Sequence, residues 1–345
     1  MIRSLKDKLM YRAWMKTLPL LCKGNWFDIT ILWRKQLLHK AGQLVQAHGI
    51  RQVIVTGAPF RLMAYGAELK KQFPQINLVL DFRDEWTWKD HYGLASIGAK
   101  RLAFEKELEA LAIGAADRII SPDGTILQHL AAAYPHHKSQ YVQVPHAVDP
   151  DDFDPSLHAE ADGIFRIVYA GSMYGASEAE HYFDQVISSL ENLRTQHPVA
   201  FSHYRMDLYI TGHNTDQYKR KVDAHHLEER IRFHAPIPPQ AAFKEVREAN
   251  LVVLFIPSGN RDILGTKFQE IFYAGTPILH IGEPGLVSRT IEARRMGASI
   301  RVEEVEAELP KIIRGERVIE VDKHADHSEY LLPNVTDRLI AEVLA

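Results

Sequence analysis

The sequence predicts an α/β protein built as two Rossmann-like, parallel-sheet domains. Three observations carry this. Ten short β-branched apolar runs recur along the 345 residues. Amphipathic stretches of helical period lie between them, the alternation expected of parallel sheets covered on both faces. A connector rich in Asp, Pro and Gly, from Val148 to Gly163, divides the runs into four and six. Ten strands in one open sheet would be unusual, so two sheets are expected.

Taken in order, the chain opens with two helical patterns, Leu5–Leu18 and Ile29–Gln46. Strands follow at Gln52–Thr56, Asn77–Phe82, Asp117–Ser121 and Tyr141–Pro145, with a helix over Leu94–Ala112. The connector lacks any periodicity and reads as a boundary. Beyond it, strands are expected at Phe165–Ala170, Met206–Thr211, Ile231–His234, Leu251–Ile256, Pro277–Ile281 and Ala298–Val302. Helices are expected over Glu178–Leu193 and Gln240–Ala249, and a last one over Asn334–Ala345. This gives a first domain over residues 1–155, a second over 156–330 and a terminal helix over 331–345. A complete dinucleotide-type half has about six strands. The first half offers four, so the N-terminal domain is expected to be incomplete, either reduced or truncated.

Hydrophobic residues make up 46% and charged residues 25% of the chain, the balance of a globular protein. The net charge of −3 gives no signal for nucleic acid as a partner. Cys22 is the single cysteine, so no intrachain disulfide can form. No apolar run approaches the ~18 residues of a membrane span, and the start lacks the pattern of a signal peptide. A cytoplasmic location is expected. Charge is uneven, however. From Met1 to Arg51 ten Lys or Arg face only Asp7 and Asp28, a formal charge of +8. Trp14, Trp26 and several Leu are interleaved. Such a segment suits the surface of an anionic bilayer; a solvated helical element packed on the domain is the other reading.

Three constellations could carry chemistry. Tyr169–Gly175 (Y-A-G-S-M-Y-G) follows a strand and precedes a helix. Small residues there, Gly171 and Ser172 among them, let backbone approach a phosphate whose charge a helix N-terminus favours. Arg261–Pro277 (R-D-I-L-G-T-K-F-Q-E-I-F-Y-A-G-T-P) places Thr266 as a plausible N-cap, with Lys267 in the first turn. A cation there opposes the helix dipole and implies a nearby anion. Glu270 lies one turn on, on the same face, where a carboxylate can accept both hydroxyls of a ribose. A plain surface pair of Lys267 and Glu270 is the alternative. Asp81–Trp86 (D-F-R-D-E-W) stands at the carboxyl end of a strand, where ligands of open α/β sheets collect. Arg83 and Asp84 could face substrate there, or pair with one another. The D-x-D spacings at Asp149–Asp154 sit in a Pro-rich connector and are not read as a metal site. His324 and His327 have nothing nearby to complete a zinc set.

In their order these motifs resemble the group 1, retaining glycosyltransferases of GT-B fold. Val55–Phe60 (V-T-G-A-P-F) looks like the family's strand-then-Pro loop, and Asp81–Trp86 like its D-x-R-D-x-W. Ala116–Pro122 (A-D-R-I-I-S-P) resembles the strand before the inter-domain crossing. Val144–Phe153 (V-P-H-A-V-D-P-D-D-F) is similar to its V-P-N-G-V-D-P-x-x-F hinge. Tyr169–Gly175 looks like the first loop of the donor domain, and Gly265–Leu279 is close to G-x-K-x-x-E-Y-x-A-x-G-x-P-I-L.

The resemblance implies two Rossmann-like domains, a site between them and a final helix crossing back to the first domain. It implies a nucleotide diphosphate sugar as substrate, no cofactor and no metal. The acceptor would be a cell-envelope glycan or a lipid-linked molecule, on the inner face of the membrane. The second carboxylate of the family's E-x7-E falls on Glu270 and would bind ribose. The first falls on Asp262, which would face the sugar. Gly171, Ser172, Arg261, Thr266 and Lys267 would hold the donor; Asp84, Arg83 and the hinge residue His146 would address acceptor or sugar. The sequence departs from the pattern in four places. Asp262 replaces Glu, and His146-Ala147 replaces Asn-Gly. The Arg and Lys that often clamp the diphosphate are missing from Gly171–Glu180. The opening strand and its glycine-rich loop are not found. A catalytically silent relative that binds a sugar nucleotide or a partner chain is therefore the second expectation.

Overall fold

The computed structural model describes residues 12–13, 16–20, 22–88, 94–137, 140–152, 163–173, 176–211, 215–322 and 324–344. The expected helix Leu5–Leu18 falls largely outside them, as do Tyr174, Gly175 and Asp154. The chain divides into two compact units. Unit 1 holds Met1–Pro145 and Thr336–Ala345; unit 2 holds His146–Val335. The division thus falls ten residues before the expected 155. Its cause is local pairing inside unit 2. The Val148 N–H donates to the Tyr330 carbonyl at 2.8 Å, and the Leu332 N–H returns to the Val148 carbonyl at 2.8 Å. The start of the connector, at Val148, is stitched to unit 2.

Unit 1 carries a four-stranded parallel sheet in the order β1 (Gln52–Gly57), β2 (Asn77–Phe82), β3 (Arg118–Ser121), β4 (Gln140–Gln143). All four follow chain order without a reversal, so every crossover steps the same way. β2 is central and buried on both faces, which explains its unbroken Leu-Val-Leu run. β1 is an edge strand. Its alternation leaves Gln52, Ile54 and Thr56 exposed, while Val53 and Val55 turn inward. The helix Arg34–His48 covers that inner side through Leu38, Ala41 and Val45. Its boundary comes later than the predicted Ile29–Gln46, because Ile29–Leu32 is a separate 3₁₀ turn capped by Asp28. The other face of the sheet is closed by the end of the chain. Leu339, Val343 and Leu344 pack on Val79, Ile120, Val142 and Val144. The terminal helix is α-helical over Leu332–Leu339 and π-helical over Ile340–Leu344.

Unit 2 carries a six-stranded parallel sheet in the order β10-β9-β8-β5-β6-β7. Here β5 is Phe165–Gly171, β6 Tyr204–Ile210, β7 Ile231–Phe233, β8 Leu251–Ile256, β9 Ile278–Gly282 and β10 Gly297–Ile300. Each expected strand is present with its ends shifted by no more than two residues. Helices Ala176–Gln196 and Val305–Ile313 bury one face of the sheet, with Phe183, Leu190 and Leu309 in the core. The helices Pro239–Arg247, Thr266–Ala274 and Leu286–Ala293 bury the other, through Phe243, Phe272 and Ile291. No described helix is long and apolar enough to cross a membrane.

The order of this sheet locates its ligand crevice. From β5 the chain moves outward to β6 and β7, then returns to place β8 on the opposite side of β5. The direction of winding reverses between β5 and β8. Loops leaving the carboxyl ends of those strands diverge, and the gap between them is where open α/β sheets bind ligands. Gly171 ends β5, and the segment after β8 leads to Arg261 and Lys267.

Candidate functional site

A cavity of about 270 Å³ opens at this point in unit 2. Gly171 and Thr211 border it on the sheet side, and Lys267, Glu270 and Ile271 border it on the helix Thr266–Ala274. Pro236, Ile237, Pro239, Ala242 and Phe243 form an apolar wall. The lining thus sets an apolar wall beside one cation, Lys267, and one carboxylate, Glu270.

The cation is held by backbone geometry. Gly171 has φ of 152°, and a Cβ placed on it would collide with the Lys267 ammonium. Glycine is required there so that the Lys267 side chain can lie against the end of β5. Lys267 and Glu270 share the cavity, but no direct ion pair between them is found among the described residues. Partial desolvation lowers the Lys267 pKa, although Glu270 acts in the opposite sense. Partial desolvation raises the Glu270 carboxyl, against the pull of Lys267, and Asp152 adds to the rise. Lys267 keeps an accessible surface in the empty cleft, yet the protein crowds it enough to disfavour its charge. Two opposite charges, each partly desolvated and not paired, are not a surface i,i+3 pair. A cation and a carboxylate that line one cavity can together contact an anion and hydroxyl groups.

The helix beneath them is capped at Gly265, not at Thr266. Gly265 is the N-cap, with φ −71° and ψ 167°, and Thr266 is the first helical residue. Glycine contributes no side-chain cap; within this first turn the Phe268 N–H donates to the Gly265 carbonyl at 3.0 Å. At the other end Gly275 closes the helix in the left-handed conformation, φ 70°. Near the cavity mouth the Ser172 and Thr211 hydroxyls lie 2.7 Å apart. The Thr211 N–H donates to the Gly171 carbonyl.

The loop after β8 is pinned from outside the cavity. The Glu178 carboxylate accepts from the Ser258 N–H at 2.8 Å, from the Ser258 hydroxyl at 3.2 Å and from Tyr182 at 2.6 Å. Burial raises the Glu178 carboxyl, but those donors outweigh it and hold its pKa below the usual value. Asp262 lies further along that loop. Its Oδ1 accepts the Leu286 N–H at 2.8 Å, at the start of the helix Leu286–Ala293. Arg261 at 3.5 Å and Arg289 at 3.9 Å flank the same carboxylate. One oxygen of Asp262 is thus committed to a helix terminus. Arg261 is half exposed on that rim.

Tyr209 forms the floor of the apolar slot and is itself clamped. His234 stacks on it at 4.5 Å, and Glu245 accepts from its hydroxyl. His234 in turn meets Asp207 at 2.8 Å, and Asp207 also binds Arg166 at 2.8 Å and Arg205 at 2.9 Å. Thr211, Tyr209 and the wall Pro236–Phe243 were not singled out from the sequence. The run Pro236-Ile237-Pro238-Pro239 signals a stiff segment, but nothing in it tells which strand end it faces.

In unit 1 the predicted residues stand at the carboxyl end of β2. Arg83 is half exposed and binds the Asp81 carboxylate at 3.2 Å. Asp81 also accepts from the Thr56 hydroxyl at 3.2 Å, which ties β1 to β2. Asp84 is partly buried beside them. Trp86 is buried, stacked on Phe60 at 5.5 Å, with its indole N–H on Glu105 at 3.1 Å. Glu105 also binds Arg61 at 2.8 Å and the Asn25 N–H at 2.7 Å. Glu85 is buried too. The D-F-R-D-E-W motif therefore separates into buried framework (Asp81, Glu85, Trp86) and accessible groups (Arg83, Asp84). His146 is partly buried in unit 2, two residues before the Val148 stitch.

Two units, each with a wound parallel sheet, define a class of two-domain α/β folds. Comparison with solved structures narrows it. A glycosyltransferase from Rickettsia africae aligns over 88% of this chain and 78% of its own, with TM-score 0.63 and 12% identity. The lipopolysaccharide outer core galactosyltransferase WaaB aligns over 91% and 81%, with TM-score 0.60 and 13% identity. The pneumococcal O-GlcNAc transferase GtfA, solved with UDP and GlcNAc, aligns over 88% and 60%, with TM-score 0.60 and 13% identity. The chain shares the GT-B fold of these structures. No family model matches the sequence, and no curated protein matches it.

Proposed function

We propose that the chain transfers a hexosyl group from a nucleotide diphosphate sugar to a cell-envelope glycan or a lipid-linked acceptor. The observation that carries this is the Gly171–Lys267–Glu270 arrangement at the switch point of unit 2. In this reading the diphosphate lies on Gly171, Ser172 and the N-terminus of the helix Thr266–Ala274. Lys267 and Arg261 neutralise it without a metal. Glu270 accepts the ribose hydroxyls, and the base enters the slot between Tyr209 and the Ile237–Phe243 wall. Asp262 turns its uncapped oxygen to the sugar, with His146 beside the hinge. The bond from the sugar C1 to the diphosphate breaks, and a bond to an acceptor oxygen forms on the same face. Charge on the leaving diphosphate is what Lys267 stabilises. Arg83 and Asp84 address the acceptor on unit 1. The protein works in the cytoplasm, peripheral to the inner face of the membrane.

Titration with UDP, GDP and ADP by calorimetry tests the donor site. One of them binds, and Lys267→Ala or Glu270→Ala weakens it roughly ten- to hundredfold, the worth of a hydrogen bond to a charged group. Absence of binding by all three sinks the reading. Release of free nucleotide from a panel of donor sugars then tests turnover.

A second reading has its own support. Among the described strands of unit 1, β1 has one neighbour and an open edge, and Asp262 already caps a helix. A silent relative that binds a sugar nucleotide, or a partner chain along that edge, would bind nucleotide with the same residue dependence and turn nothing over.

A further inference from the structure

Two buried carboxylates face the stretch that follows β2. Glu105 and Glu109 stand one turn apart on the helix Ala99–Ala115, and each is 1% exposed. They hold consecutive residues of that stretch. Glu105 accepts the Trp86 indole N–H at 3.1 Å, and Glu109 accepts the Thr87 hydroxyl. Residues 83–88 have no regular secondary structure of their own, so these side-chain contacts position them.

The two carboxylates differ in what balances them. Glu105 also accepts from Arg61 at 2.8 Å and from the Asn25 N–H at 2.7 Å, so a buried cation meets its charge. Glu109 has no cation within ion-pair distance among the described residues. Its second donor is the Tyr134 hydroxyl, at 3.2 Å on the same Oε2, and its Oε1 has no partner. Burial raises the Glu109 carboxyl to about 7; Thr87, Tyr134 and Lys106 act against the rise, and Glu105 adds to it. The groups around it come from three further elements. Burial, with Glu109 beside it, raises the Tyr134 hydroxyl, which therefore stays a donor. Tyr141 on β4 packs on the same core, and its hydroxyl is buried without a partner. His129 stacks on Trp88 at 4.0 Å, and His137 lies 5.7 Å from the Tyr134 ring. Burial lowers the His129 pKa, with Glu85 acting the other way.

An ionised carboxylate with one oxygen unsolvated is costly in a closed site, and a neutral one is much less so. Access of water relieves the cost. Tyr134 closes the helix Gly124–Ala133 and packs on the unit 1 core. Thr87 lies in an irregular stretch, so it is the side that yields. We propose that Glu109 is a positioning residue: neutral, it holds residues 83–88 closed through Thr87, and ionised, it releases them. Arg83 and Asp84 ride on that stretch. Their contact with an acceptor rests on the reading above, whereas the latch itself needs no substrate. A raised carboxyl holds most firmly below its ordinary value of 4.5, and the hold weakens until pH passes about 7.

Hydrogen exchange over residues 83–88, read by mass spectrometry on the full chain, tests this. Wild type and variants are compared at the same pH, so that intrinsic exchange chemistry cancels. Relative to Glu109→Gln, protection in the wild type falls about seventyfold from pH 5 to pH 8, the ratio set by a carboxyl moved from 4.5 to about 7. Glu109→Gln, with a neutral side chain of the same shape, keeps the stretch closed at both. Titration of His129 is common to the two proteins and drops out. Thr87→Val exposes the stretch already at pH 5 and removes the pH dependence of its exchange. Its melting temperature still varies with pH, because Glu109 stays buried; a purely structural Thr87 would not separate the two readouts. Three outcomes overturn the proposal. One is the same fall in protection in wild type and Glu109→Gln. Another is loss of protection in Glu109→Gln at pH 5. The third is wild-type exchange in Thr87→Val. Neither readout uses nucleotide or acceptor. Absence of nucleotide binding sinks the donor reading and leaves the latch standing, and a flat exchange profile does the reverse.

Discussion

At the scale of single residues, the proposed donor cleft depends on groups kept in costly states. Lys267 is partly desolvated and lies against a glycine that cannot be another residue without moving it. Gly171→Ala should therefore weaken nucleotide binding about tenfold, the lower end of the loss expected when a charged contact is disturbed. Calorimetry on the variant checks this. The lowered Lys267 pKa also sets a pH limit, since binding should weaken in the alkaline range, at lower pH than an ordinary lysine would allow. A second costly residue lies in unit 1. Glu109 is buried, accepts from Thr87 and Tyr134, and leaves its Oε1 without a partner. Burial raises its carboxyl to about 7, against the opposing hydrogen bonds. A raised carboxyl favours the fold fully below the unfolded pKa near 4.5, and that advantage is lost as pH climbs through 7. Glu109→Gln should remove this slope, worth up to about 3 kcal/mol, from a plot of melting temperature against pH. His280 works in the other direction. It is buried on β9 with Nδ1 on Ser299, and burial lowers its pKa to about 4. Its contribution is present above pH 6.5 and is lost as pH falls toward 4.

At the scale of elements, the helix Thr266–Ala274 shows how local rules and function divide the work. Its C-terminus is an ordinary left-handed glycine stop at Gly275, where the surrounding space is open. Gly275→Ala should cost about 1 kcal/mol of stability, read by urea unfolding, and leave nucleotide affinity unchanged. Its N-terminus has no side-chain cap, and that is the end that faces the cleft. The sequence put the cap one residue late, on Thr266, because a hydroxyl there is the commoner choice. Strands were legible to within two residues, since β-branched runs bounded by polar residues have few other solutions. The terminal helix was legible too, and the resemblance implied its return to the first domain; which side chains it buries there was not legible. Val343 is fully buried on the outer face of the unit 1 sheet with Leu339. Val343→Ala should cost roughly 2 kcal/mol, by loss of packed methyl groups in a site that cannot collapse freely. Chemical denaturation followed by tryptophan fluorescence measures it, because Trp86 reports on unit 1.

At the scale of the whole molecule, each unit has its own sheet and core. Unit 2 contains every residue of the proposed donor cleft. Residues 146–335 expressed alone should fold and bind nucleotide with an affinity within about threefold of the full chain; a tenfold loss would show that unit 1 contributes to the donor site. The division of the chain into two parallel α/β halves was determined by the sequence alone, because hydrophobic period and turn residues act over a few positions. The identity of Lys267 and Glu270 as a cleft pair was suggested by their spacing on one helix. Tertiary structure decided what they meet. Only the winding reversal between β5 and β8 brings the Lys267 ammonium onto Gly171, about a hundred residues away in the chain, and puts Tyr209 and Ile237 in the lining of one cavity. Only the folded loop after β8 shows Asp262 spending one oxygen on the Leu286 N–H. Local patterns fix elements because their causes are local. Desolvation, capping by distant backbone and the facing of two strand ends are properties of the assembled sheet, and no stretch of sequence contains them.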